Sequence, residues 1–159
     1  MSKMTYNVKD LLLSCDMFIN NSYLDRYAEL IRNNLKLNKQ PFKTNLHHII
    51  PKCYYKLKGI DIDDSITNKV NLLYVDHIRA HYYLCRCTTG ELQTKCYTAF
   101  NFTLNKYKHI IDDIENEFDL TFLQDMYVKF CEAQSSRLRG KPPWNKGKQG
   151  VPRRKEHRV

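Results

Sequence analysis

Two short apolar runs, LHHII at residues 46–50 and VNLLYV at 70–75, limit this chain more than any other feature. Each is too brief for a helix and carries β-branched or bulky aliphatic residues, so both read as small strands. The second runs straight into DHIRAHYYLC, whose spacing reads as a helix with Asp76 as its N-cap. Between the runs lies YYKLKGIDIDDSITNK, a polar segment with Gly and Asp that reads as a loop. An isolated two-stranded hairpin is marginal in water, so this one must lay a face on neighbouring helices. Adjacent residues on a strand point to opposite faces. His47 and His48 therefore look in different directions, one inward and one outward.

The flanking sequence supplies those helices. In SYLDRYAELIRNNLKL, residues 22–37, Leu24, Tyr27, Ala28, Ile31 and Leu35 recur at helical spacing, with Asn21 or Ser22 as N-cap and Pro41 beyond the end. Thr88 and Glu91 form a capping-box pattern ahead of a helix in which Leu92, Cys96, Ala99, Phe100 and Thr103 share one face. A further helix is expected across 120–137, with Leu123, Met126, Tyr127 and Phe130 inward. After Gly140 the periodicity stops, and KPPWNKGKQGVPRRKEHRV reads as an extended arm ordered mainly on binding. The expected fold is α+β: a small hairpin-helix core flanked by helices, with a basic C-terminal arm. Its parts are an N-terminal helical segment (1–44), the core (45–90), a helical buttress (91–136) and the arm (137–159).

Charge is concentrated in that arm. Residues 137–159 hold nine Lys or Arg and a single acid, Glu156, which leaves +8 of the chain's +9 in this stretch. A polyanion is the matching partner. No apolar run approaches the ~18 residues that a membrane helix needs, and the N-terminus has no secretory pattern, so an intracellular protein is expected. The six cysteines are scattered and read as reduced thiols. Cys85, Cys87 and Cys96 lack the paired spacing of a structural zinc site.

Four of the six histidines belong together. His77 and His81 are one helical turn apart, so their rings share a face and can grip one ion. The hairpin can fold back and add His47 as a third ligand, leaving positions open for water or a phosphate oxygen. His48, on the other face, is free to take a proton from water.

HHIIPK followed by NLLYVDHIRAHYYL resembles the HNH endonucleases, most closely the homing endonucleases of phages and other mobile elements. The resemblance covers roughly residues 46–85 and extends loosely to YAELI upstream and YTAF downstream. It implies a ββα-metal core that hydrolyses phosphodiester bonds of double-stranded DNA with one divalent ion. By position it makes His48 the general base, and His47, His77 and His81 the metal ligands. Asn71 becomes the central asparagine that holds the loop and orients the base. The loop is longer than in relatives and lacks their Gly-Gly, which keeps Asn68 as the alternative to Asn71. Three imidazoles favour zinc or another transition ion, whereas relatives work with magnesium or manganese. Because such ligands must be unprotonated, activity is expected to collapse below about pH 6.

RLRGKPPWNKGKQG resembles the modular DNA-binding motif appended to many homing nucleases. Lys141, Lys146 and Lys148 can neutralise phosphates, and Trp144 and Asn145 belong to the Trp-Asn-Lys-Gly-Lys core of that motif. Affinity should then fall steeply with salt. With one site per chain, nicking or a homodimer are the natural options. A DNA-binding protein that keeps the fold without cutting, and an RNA-directed nuclease, are the rival readings.

Overall fold

The computed structural model describes residues 7–37, 44–109 and 114–138. Among these, six helices surround one two-stranded antiparallel sheet, a mixed α+β arrangement dominated by helix. No helix of the described residues is long and apolar enough to cross a membrane.

Helix α1 (Val8–Leu13) precedes α2 (Ser22–Lys36). Asn21 caps α2: its side-chain oxygen accepts from the Tyr23 and Leu24 amides at 3.0 Å each. Its amide nitrogen donates to the Arg86 carbonyl, also at 3.0 Å. Leu24, Tyr27, Ala28 and Ile31 are buried as their spacing predicts. Leu35 is exposed instead, because Asn34 takes the seat one turn beyond Ile31. The Asn34 amide is bonded to the Leu30 carbonyl and to Asp76.

Strand β1 (Thr44–His48) and strand β2 (Lys69–Leu73) pair with His47 opposite Val70 and His48 opposite Lys69. The predicted strands ran further, to residues 50 and 75. The register ends at His48 because the amides of Ile49 and Ile50 go to Asn68, the first to its carbonyl at 2.8 Å and the second to its side chain at 2.9 Å. Asn68 thus closes the hairpin from the base of the intervening segment.

That segment is no simple loop. It opens with a helix, α3 (Lys52–Lys58), that starts at Pro51 and stops at Gly59. Gly59 sits at φ 69°, a left-handed C-terminal position that favours glycine. Tyr54 and Tyr55 of α3 are buried, and the helix packs on α5. A 3₁₀ turn at Ile66–Asn68 leads into β2.

Helix α4 (Tyr74–Arg86) follows β2 without a break. Asp76 therefore lies inside the first turn rather than at the N-cap, which is Leu73. Asp76 is used sideways: Arg79 bonds it at 3.0 Å and forks onto Glu117 at 2.9 and 2.8 Å. Since Asn21 meets Arg86 and Asn34 meets Asp76, α2 and α4 lie antiparallel. Helix α5 (Gly90–Lys106) begins after Thr89, not at the predicted capping box. Thr88 is buried, and its hydroxyl is spent on the Leu84 carbonyl at 2.6 Å. Leu92, Cys96, Phe100 and Thr103 of α5 are buried as expected, while Ala99 is half-buried. Helix α6 (Leu120–Leu138) buries Met126 but leaves Tyr127 exposed.

The core lies where α2, α4, α5 and the inner face of the sheet meet. Tyr82 of α4 is its hub, with ring contacts to Phe100 and Phe118 at 5.8 and 4.8 Å. Each fully buried Leu, Ile or Phe there contributes roughly 1.5–3 kcal/mol. This packing fixes α4 against the hairpin, and with it the face that carries His77 and His81.

Candidate metal centre

Strand alternation and helical repeat bring three histidines to one point. His47 is buried on the inner face of β1, while His77 and His81 project from successive turns of α4 toward it. Each ring offers one nitrogen, and those three nitrogens lie within 4.8 Å of one another. Ring centroids stand 5.5 Å (His47–His77), 5.2 Å (His47–His81) and 4.8 Å (His77–His81) apart.

Electrostatics keeps all three rings neutral at pH 7. Burial pushes His47 well below the ordinary histidine value, and the facing His81 and His77 rings add to the effect. Burial also lowers His77 to about 4, helped by the nearby Lys106 charge. His81 falls to about 3, through burial and then His77. Neutral imidazole is the ligating form.

The donor set fits a cation. The Nε2 atoms of His77 and His81 face each other at 3.1 Å. Two lone pairs at that distance repel, so either a proton or a cation must lie between them. Both Nδ1 atoms are buried without a hydrogen-bond partner among the described residues, so no neighbouring acceptor fixes either tautomer. Three nitrogens with no carboxylate among them suit a borderline transition ion such as zinc better than magnesium.

His48 sits beside this group on the opposite face of β1, with 13% of its side chain exposed. Its Nε2 is 2.8 Å from Asp64 Oδ1. The hydrogen bond to His48, and then that to Lys69 at 3.2 Å, hold the Asp64 carboxyl below its usual range. An ionised carboxylate only accepts, so His48 carries a proton on Nε2, and the neutral ring has its lone pair on Nδ1. Asp64 comes from the long segment between the strands. Nothing in the spacing of DIDD tells which of its acids reaches the histidine.

The two candidate asparagines are separated clearly. Asn68 is buried; its side chain accepts from the Ile50 amide at 2.9 Å and donates to the carbonyls of Asp63 (2.9 Å) and Ile50 (3.4 Å). Asn71 is exposed on β2 opposite Leu46. The asparagine that ties the loop is therefore Asn68 rather than Asn71. Position 71 falls on the outward phase of the strand, whereas position 68 ends the 3₁₀ turn under the hairpin. Lys141, Trp144, Asn145, Lys146 and Lys148 lie outside the described residues.

The histidine shifts carry a stability prediction. The unfolded chain takes up protons near pH 6.5, which the folded rings refuse until about pH 4 and 3. Stability of the metal-free protein is thus intact above pH 6.5 and falls as pH drops below it. The expected loss by pH 4.5 is on the order of 2 kcal/mol after allowing for partial solvent contact. Thermal melts at pH 7, 5.5 and 4.5 measure it, and His81→Gln should flatten the profile. An identical slope in that variant would remove His81 as a cause.

Comparison with family models, with curated proteins and with solved structures finds no match for this chain.

Proposed function

We propose that this chain is a metal-dependent endonuclease of the HNH type, hydrolysing phosphodiester bonds of double-stranded DNA. The observation that supports this reading is the convergence of His47, His77 and His81, with His48 at the next strand position aimed by Asp64. The β1–β2–α4 order, closed by a buried asparagine, supports the reading of a ββα core.

In this reading His48 Nδ1 takes a proton from water as the water oxygen attacks phosphorus in line with the leaving 3′ oxygen. The imidazolium that results faces the Asp64 carboxylate, which favours the charge. A divalent cation held by the three neutral imidazoles would relieve negative charge at the phosphate as a Lewis acid. His47, His77 and His81 would hold that ion in one place relative to His48, a matter of geometry set by β1 and α4. The basic arm, with Lys141, Trp144, Asn145, Lys146 and Lys148, binds the DNA backbone.

The test is conversion of supercoiled plasmid by full-length protein in a panel of zinc, manganese and magnesium, with a chelator as control. Nicked or linear product with at least one ion, abolished by the chelator, is expected. DNA binding with every ion and cleavage with none would leave a non-cutting DNA-binding protein. Cleavage of RNA with duplex DNA left intact would move the substrate to RNA.

A further inference from the structure

The third histidine is held differently from the other two. Tyr27, fully buried on α2, places its hydroxyl 2.8 Å from His47 Nε2 and 2.7 Å from the Ile49 carbonyl. A tyrosine hydroxyl has one proton to give. A backbone carbonyl can only accept, so that proton goes to Ile49. The remaining contact then requires His47 to donate, which puts the imidazole proton on Nε2.

We propose that Tyr27 is a positioning residue that locks His47 as the Nε2–H tautomer, so that His47 offers Nδ1 to the cation shared with His77 and His81. The inference rests on the metal-centre reading above. A ligating histidine is commonly oriented through its other ring nitrogen by an acceptor that fixes tautomer and ring plane. Here the acceptor is a phenol oxygen whose own proton is committed to the Ile49 carbonyl, two residues on and just past the end of β1. The buried edge-on contact of the two rings, centroids 6.0 Å apart, leaves His47 little freedom to turn. By contrast the Nδ1 atoms of His77 and His81 have no partner among the described residues. His47 is therefore the pre-oriented ligand against which the other two close.

Two measurements on the full chain test this. Imidazole ¹⁵N spectra of the metal-free protein at pH 7.5 should show His47 protonated at Nε2 in the wild type and as a tautomer mixture in Tyr27→Phe. Titration with cobalt(II), followed by its absorption bands, should show Tyr27→Phe weakened by about 10- to 100-fold. Wild-type His47 protonated at Nδ1 would overturn the proposal while a bound cobalt ion kept the metal centre standing. Equal cobalt affinity in the two proteins would also overturn it. Failure of the wild type to bind any ion would remove the metal centre and this proposal with it. The spectrum of the wild type needs no variant, so the proposal remains testable should Tyr27→Phe fail to fold.

Discussion

His48→Ala is expected to lower plasmid cleavage by about 10²- to 10⁴-fold, the span a positioned general base contributes. Metal affinity and thermal stability should stay near wild type. His48 points away from the three converging rings, keeps an edge at the surface, and engages the exposed carboxylate of Asp64. Removing it therefore opens no core cavity and breaks no metal contact. Asp64→Ala is the graded companion: the base remains but its ring is no longer held, so cleavage should fall by a smaller factor. Single-turnover cleavage, cobalt titration and a thermal melt on each variant separate the roles. Undiminished cleavage by His48→Ala would place the base elsewhere. Lost metal binding in that variant would mean that His48 belongs to the ion.

Much of this site is written in periodicities. Strand alternation separates His47 from His48, and the four-residue helical step joins His77 to His81, so the grouping of these four side chains is legible in the sequence. What escaped was set by tertiary competition. Pro51 and Gly59 bracket a helix that seven polar-looking residues did not announce, though both punctuation marks were there to read. Asp76 stands where an N-cap belongs in sequence, but β2 passes directly into α4, and the carboxylate was recruited by Asn34 and Arg79 instead. Tyr27 carries the apolar signature of a core residue and is one. Its hydroxyl acquires a task only because β1 happens to end beneath it. Asp64 has no periodicity at all. Polar contacts made by irregular segments depend on where the chain returns, which hydrophobic pattern does not encode.

The asparagine at the base of the hairpin gives the second large effect. Asn68→Ala should destabilise the protein by roughly 2–4 kcal/mol, because it strands the buried Ile50 amide and removes two donors to carbonyls in one step. That amide has no alternative, since β1 has already left the register at His48. The same loss frees the segment that delivers Asp64, because the Asn68 side chain also anchors the Asp63 carbonyl next to it. Cleavage should therefore drop more than stability alone accounts for, even well below the melting temperature. Asn68→Asp is no rescue: it keeps an acceptor for Ile50 but turns a carboxylate on two carbonyl oxygens. Asn71→Ala is the control, on an exposed strand position where a change within about 0.5 kcal/mol is expected. Chemical denaturation and cleavage rates of the three variants decide between the positions. A silent Asn68→Ala beside a crippled Asn71→Ala would move the central asparagine to the outer strand face and undo the hairpin closure argued from Ile49 and Ile50.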